Sequence, residues 1–308
     1  MFFRNLTLFR FPKSGAEDLA DEGLPKKLKK HGLKPCGALE MQSRGWISPF
    51  GRSESELSHQ IGAFTLLTLG TEDKLLPPAV VNEHVAAKVQ ELTEERGKPP
   101  GGKERKRLRD EALMDLLPRA FTRPGRLSGY LDGKSGWALV DTPSRKAGEG
   151  FVTHLRETLG SFVAVPPDPE ESARSLMTGW LTGAKLPEGF ELGDECELRD
   201  PADKGALVRV RRLDLESAEV REHLKSGKQV TQLGLVVDER VSFVLGEDLT
   251  VRKLKFLDVV EEELEATDRE SPRAELDARF ALMSLTMKPV LERFEEIFRL
   301  PRPRDRRN

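Results

Sequence analysis

The chain has 308 residues, and its 50 basic and 52 acidic side chains leave a net charge of −2. One third of the residues are charged and 37% are hydrophobic, which is typical of a globular protein and excludes a largely disordered one. This length allows two compact domains. No apolar stretch approaches the roughly 18 residues that a membrane span needs, so we expect none.

The two cysteines, Cys36 and Cys196, are far apart in the sequence. They form neither a disulfide framework nor a cluster of metal ligands, which favours a reducing compartment. Arg4 and Arg10 interrupt the apolar N-terminus, so we expect no signal peptide. We therefore predict a soluble, cytoplasmic protein.

The first elements are predicted from apolar periodicity. Alternation over residues 3–10 predicts a strand with apolar side chains on both faces, and a helix to about Lys30 follows, weakened by Gly23 and Pro25. "IGAFTLLTLG" (61–70) is rich in β-branched and large apolar residues and predicts another strand.

Residues 77–118 predict a projecting helical hairpin. Pro77 and Pro78 open one helix, "GKPPGG" (97–102) breaks it, and a second helix runs over about 103–117. Two amphipathic helices joined by a short breaker pack antiparallel.

This hairpin is strongly basic. Residues 96–126 hold ten Lys or Arg against four acids, a net +6, so the rest of the chain carries −8. The cations gather at the turn and at the start of the second helix, so we predict a finger with a positive tip.

Asp132-Gly133 marks a β-hairpin within 127–142, and a helix over about 144–160 follows. "VPPDPEE" (165–171) is the best linker because its prolines stop any regular element. We therefore predict an N-terminal α+β domain over 1–165, carrying the finger, and a C-terminal α+β domain over 166–308.

The second domain is predicted to open with a helix near 170–183, a strand within 206–215 and a short helix over 217–226. Three alternating runs separated by "DER" and "GED" then predict an antiparallel meander. An acidic helix and a long last helix follow.

The last helix has an apolar stripe from Leu276 to Ile297 that predicts packing on its own domain, with a subunit interface as the alternative. Pro289 should kink or split it, and the Arg-rich tail should be frayed.

Basic side chains recur on one face of the predicted sheet. Arg209 and Arg211 share a face opposite Val208 and Val210, and Arg212 ends the strand. Lys253 and Lys255 repeat the arrangement on the last meander strand. Such rows suit phosphates, although one face of any antiparallel sheet can simply be solvated.

No pattern predicts catalysis, a metal or a cofactor. The acidic run 261–270 has no EF-hand spacing, the five histidines lack zinc spacing, and "YLDGKS" (130–135) is one residue short of a phosphate-binding loop. Phe121 stands on a predicted loop bracketed by Pro118 and Pro124, either buried locally or anchoring a partner.

Six motifs in register resemble the RdgC family of bacterial recombination-associated proteins: "FFRNLTLFR" (2–10), "PCG" (35–37), "GWISPFG" (45–51), "KLLPPAVV" (74–81), "LLPRAF" (116–121) and "LKFLD" (254–258). The resemblance covers about residues 2–298. It implies a non-enzymatic homodimer, closed into a ring with a positive hole, that binds duplex DNA with little sequence preference. It also implies a nucleoid-associated antagonist of the RecA recombinase in DNA recombination and repair.

The resemblance also assigns residues. Phe121 matches the residue at one of the two dimer contacts, the gate of the ring, and we predict its neighbour Arg119 at the same interface. Arg211 and Arg212 match a basic pair on the inner surface. The predicted DNA-binding residues combine the sheet cations with the finger tip: Arg209, Arg211, Arg212, Lys253, Lys255, Lys98, Lys103, Arg105, Lys106 and Arg107. Single-stranded DNA stays open as a further ligand. The alternatives are a protein–protein adaptor with a basic finger and a DNA-processing enzyme.

Overall fold

The computed structural model describes residues 2–51, 54–202, 206–266 and 271–305, which form an α+β structure with two antiparallel sheets. The strands are β1 (Thr7–Arg10), β2 (Gln42–Ile47), β3 (Ser58–Ile61), β4 (Phe64–Leu75), β5 (Phe121–Asp132), β6 (Trp137–Val140), β7 (Phe190–Arg199), β8 (Leu207–Arg211), β9 (Gln229–Val237), β10 (Val241–Gly246) and β11 (Val251–Phe256). The helices are α1 (Lys13–Ala20), α2 (Leu24–Lys30), α3 (Pro78–Arg96), α4 (Gly102–Leu116), α5 (Arg145–Leu159), α6 (Ala173–Leu181), α7 (Ala218–Lys225), α8 (Asp258–Glu265) and α9 (Pro272–Ile297).

The first sheet has the order β1-β6-β5-β4-β2, and β3 pairs with the start of β4. The second has the order β11-β10-β9-β7-β8. The N-terminal segment joins them, because Leu6 exchanges two backbone hydrogen bonds with Val251 of β11 (2.7 and 2.9 Å) while Thr7–Arg10 pair with β6. The predicted hairpin (β5–β6) and meander (β9–β11) are confirmed, and the N-terminal strand is confirmed over Thr7–Arg10 but does not extend back to residue 3.

Helix α9 packs between the sheets. Its Phe280 ring lies 5.8 Å from Tyr130 of the first sheet, and its Phe294 ring lies 6.0 Å from Phe243 of the second. The apolar stripe is thus used within the chain, as the first of its two interpretations predicted. One hydrophobic cluster takes residues from both predicted halves, and the domain division at residue 165 stays a prediction.

The structure corrects three sequence-based expectations about helices and termini. Residues 13–30 form two helices, because the chain turns at 21–23. Helix α9 continues through Pro289, so it is not split there, and a kink stays a prediction. The carbonyl that loses its i−4 partner belongs to Leu285, whose side chain is 60% exposed, so that turn faces solvent.

The tail is ordered by hydrogen bonds as far as residue 305. The Arg302 guanidinium donates to the carbonyls of Phe11 (3.1 Å) and Lys134 (3.0 Å), and the Ser14 backbone N–H donates to Asp305 (3.0 Å). The prediction of a frayed tail is therefore wrong over 301–305. The last three residues of the tail, and 267–270 of the acidic run, lie outside the described residues.

Strands β2 and β7 were not predicted. Gly45 of β2 and Gly193 of β7 interrupt the apolar alternation by which strands are recognised. Strand β7 lies between β8 and β9 and brings two carboxylates next to the predicted cations of β8.

Candidate nucleic-acid interface

The outer face of the second sheet forms a groove of about 410 Å³. Val208 and Val210 turn toward the core, so Arg209 and Arg211 line one wall from β8, as the alternation predicted. Arg252 and Lys253 of β11 line the opposite wall, with Gln232 between them. The fold thus brings cations from two strands that are about 40 residues apart in sequence into one groove.

Two carboxylates of β7 share this groove with the cations. Glu197 accepts a hydrogen bond from Arg209 Nε at 3.0 Å and one from Thr231 Oγ1 at 3.1 Å. Glu195 Oε2 is ion-paired with Lys253 Nζ and lies 3.9 Å from Arg211 Nε. Sequence reasoning missed both acids, since cross-strand register decides which residues of β7 lie opposite Arg209 and Arg211.

Arg252 is a groove cation that alternation did not predict. Strand β11 has an extra residue relative to β10, and Lys253 at this bulge has a left-handed φ of 52°. The shifted register places Arg252 opposite Val244 on the groove side. Its guanidinium Nε is buried and has no hydrogen-bond partner among the described residues, although buried donors normally have one.

Two other predicted residues lie outside this groove. Arg212 follows β8 in a left-handed conformation (φ 53°) and is exposed. Lys255 pairs with Ser242 farther along β11 and is also exposed. Both stay predicted DNA contacts.

The helical hairpin is present, and its tip is basic. Gly97 ends α3 in the left-handed region (φ 70°) and Gly101 precedes α4, so the glycines permit the tight reversal. Val81 is buried, while Val85 and Val89 are only half-buried. A hairpin with so little buried surface projects from the body of the chain.

Cations at the tip differ in how they are held. Arg96 pairs with Glu104 at 2.7 Å, Arg107 pairs with Glu111 at 2.9 Å, and Arg105 donates to the Pro100 carbonyl at 3.1 Å. Lys98, Lys103 and Lys106 are exposed, and their side chains form neither an ion pair nor a hydrogen bond with any described residue. The lysines are therefore the most available cations of the tip.

Phe121 is the first residue of β5 and not part of a loop, which corrects the sequence-based expectation. It pairs with Leu75 of β4, and the two side chains are 83% and 45% exposed. Local burial is thus excluded. Arg119 is also exposed, in the 3₁₀ turn between α4 and β5. The base of the hairpin therefore presents an exposed aromatic beside a cation.

The described residues contain neither a metal-binding cluster nor a membrane-spanning helix. Within residues 2–51, 54–202, 206–266 and 271–305, no three His, Cys, Asp or Glu side chains come together as a metal-binding group. Over the same ranges no helix is both long and apolar enough to span a membrane. Cys36 and Cys196 are both free thiols, and burial raises the pKa of Cys196 to about 11.

Comparison with known proteins decides the family. A family model described as "Putative exonuclease, RdgC" matches residues 1–300. The chain belongs to the RdgC family. The Recombination-associated protein RdgC of Stenotrophomonas maltophilia is 50% identical over 301 residues, which are 97% of this chain and 99% of that protein.

Other RdgC proteins give the same result. The protein of that name from Xanthomonas campestris pv. campestris is 49% identical and covers 97% of this chain and 98% of its own length. The one from Xylella fastidiosa is 50% identical over 94% of each chain. The resemblance seen in the sequence motifs is therefore confirmed. These names associate the family with recombination, whereas the family model's description names an exonuclease.

Proposed function

We propose that this protein binds duplex DNA without sequence preference. The observation that carries the proposal is the groove on the second sheet, where Arg209 and Arg211 face Arg252 and Lys253. Arg and Lys neutralise phosphates and release their counterions, which gives affinity that depends on salt and not on sequence. The free lysines at the hairpin tip would add contacts of the same kind.

The protein acts as a homodimer closed into a ring around the DNA. Phe121 supports this assembly because a phenylalanine that is 83% exposed, beside the half-exposed Leu75, suits a contact with a second copy. In a ring, cations on the inner surface and acids outside would reconcile the local basic surfaces with a net charge of −2. Encircled DNA would leave only by an end or by opening of an interface.

Occupancy of DNA by such a ring limits strand exchange by the RecA recombinase, since both proteins compete for the same DNA. The protein then acts on the nucleoid, in recombination and the repair of replication forks. The names of its relatives, which associate them with recombination, support this role.

The role is binding and not catalysis. The groove holds the carboxylates Glu195 and Glu197, and both are engaged by Arg or Lys side chains. Carboxylates held by cations are poorly placed to bind a hard cation such as Mg²⁺, which would have to displace those partners. Incubation of the wild-type protein with an end-labelled duplex and Mg²⁺ tests this point. Shortening of the duplex would instead support the exonuclease named in the family description.

Fluorescence anisotropy with two unrelated duplexes of equal length, over a salt series, tests DNA binding. We expect equal affinities and a steep, linear fall of log K with log[salt], with a slope of about −0.9 per phosphate neutralised. Absence of binding at low salt would reject the proposal, and tight binding to the recombinase alone would favour the adaptor. A single-stranded oligonucleotide of the same length measures the preference for duplex.

A further inference from the structure

The second sheet has three register shifts among its described residues, and two of them position charged side chains of the groove; the third lies between Glu197 and Leu198 of β7. In β7, Leu192 pairs with Leu235 and Cys196 with Leu233, so four steps along β7 match two along β9. In β11, three steps from Arg252 to Lys255 match two along β10, from Val244 to Ser242. Bulges of this kind redirect side chains and are frequent at functional sites.

The bulges aim two oppositely charged side chains at each other. Glu195 directly precedes Cys196, where β7 pairs with β9 again, and Lys253 lies within the bulge of β11 with a φ of 52°, which is uncommon for a residue other than glycine. Their ion pair crosses the face of the sheet above β9 and β10. Gly234 of β9 allows β7 to approach closely at Glu195, since a Cβ there would lie 3.0 Å from the Glu195 carbonyl oxygen and 3.4 Å from its Cγ.

One carboxylate oxygen therefore lies between cations of both walls. Glu195 Oε2 contacts Lys253 Nζ from β11 and lies 3.9 Å from Arg211 Nε of β8. An anionic oxygen between an ammonium and a guanidinium is also the arrangement that a bound phosphate oxygen would adopt. The carboxylate thus occupies the position that suits a phosphate.

We propose that Glu195 is an internal competitor of DNA phosphate, displaced from Lys253 and Arg211 when DNA enters the groove. This inference rests on the proposed DNA binding. A phosphate can displace Glu195 because its side chain is 21% exposed and both of its cationic partners, Arg211 and Lys253, are exposed. Glu197 is held more firmly, by Arg209 and Thr231, with a side chain only 10% exposed.

Competition of this kind has a functional consequence. Each phosphate that enters must replace a carboxylate already in place, so the net gain per contact is small. Weak individual contacts allow exchange between neighbouring phosphates, so a ring could move along DNA while closure prevents its loss. Affinity would be limited by Glu195 and residence by the subunit interface.

Glu195→Gln tests the inference, and Glu191→Gln is its matched control. Both variants remove one negative charge from the same strand. Glu191 is exposed and forms no ion pair with any described residue, so its replacement releases no cation. We expect Glu195→Gln to tighten duplex binding roughly 1.5- to fivefold beyond Glu191→Gln, the range of a lost surface ion pair. Urea unfolding of each variant shows whether the fold is retained.

Lys253→Gln, made in the wild-type protein and in the Glu195→Gln variant, shows whether Glu195 competes with phosphate or only positions Lys253. If Glu195 competes, Lys253→Gln costs more affinity in the Glu195→Gln protein than in wild type, where Lys253 is already neutralised. Binding by Glu195→Gln that is weaker than, or equal to, that of Glu191→Gln overturns the inference while wild-type binding still supports DNA binding. Failure of the wild type to bind rejects the proposed function itself, together with this inference.

Discussion

Arg10 of β1 and Glu295 of α9 form an ion pair that joins the first sheet to the last helix. Arg10 is 3% exposed and its guanidinium stacks 4.3 Å from the centre of the Trp137 ring, while Trp137 Nε1 also donates to Glu295. Burial lowers the pKa of Arg10, and the Glu295 carboxylate opposes that change. The pair therefore compensates a charge that would otherwise be buried alone.

Glu295→Gln should destabilise the protein by about 3 kcal/mol, because it leaves the buried Arg10 charge without its ion-pair partner. The free energy of unfolding from urea denaturation measures the loss. Glu296→Gln, an exposed change on the same helix, should stay within about 0.5 kcal/mol of wild type. Equal stability of the two variants would show that the ion pair contributes nothing.

Arg211→Ala and Arg252→Ala should each weaken duplex binding by the same factor for every DNA sequence. Each should also reduce the magnitude of the salt slope by about 1, because each removes one phosphate contact. Anisotropy over a salt series measures both quantities. Arg145→Ala, an exposed arginine of α5, is the control and should leave the slope unchanged. A loss confined to one of two DNA sequences would indicate base recognition.

Phe121→Ala should impair dimer closure and leave the fold intact, because the side chain makes little contact within its own chain. Analytical ultracentrifugation should show a larger fraction of monomer, with a change in unfolding free energy below about 0.5 kcal/mol. Phe162→Ala, at a fully buried position, should instead cost about 3–5 kcal/mol. Unfolding of Phe121→Ala would mean that the residue belongs to the core.

His154 should make stability depend on pH. Burial lowers its pKa, which the backbone of His31 and the Glu157 carboxylate oppose, while charge on His31 and Arg44 adds to the lowering. The folded protein then binds fewer protons here than the unfolded chain, so stability is lost as pH falls below about 6.5.

Urea unfolding at pH 7 and at pH 5 measures this loss. His154→Phe should reduce the difference between the two free energies of unfolding. An unchanged pH dependence in His154→Phe would assign the effect to other groups.

Elements with local signals could be predicted from the amino-acid sequence. The hairpin of α3 and α4, the meander of β9–β11 and the apolar stripe of α9 follow from periodicity and from the glycine and proline breakers between them. The motifs around Trp46 and Phe121 likewise indicate the family from the sequence alone, and the comparisons confirm it.

The construction of the candidate site depends on tertiary structure. Glu195 meets Lys253 and Arg211 because two bulges and the register of β7 bring them together, and no local pattern contains a pairing over 58 residues. Arg252 faces the groove because Lys253 adopts a left-handed conformation that its sequence does not favour. Local propensity sets the type of each element, whereas strand register is set by packing of the whole sheet, and the charges of the groove depend on register.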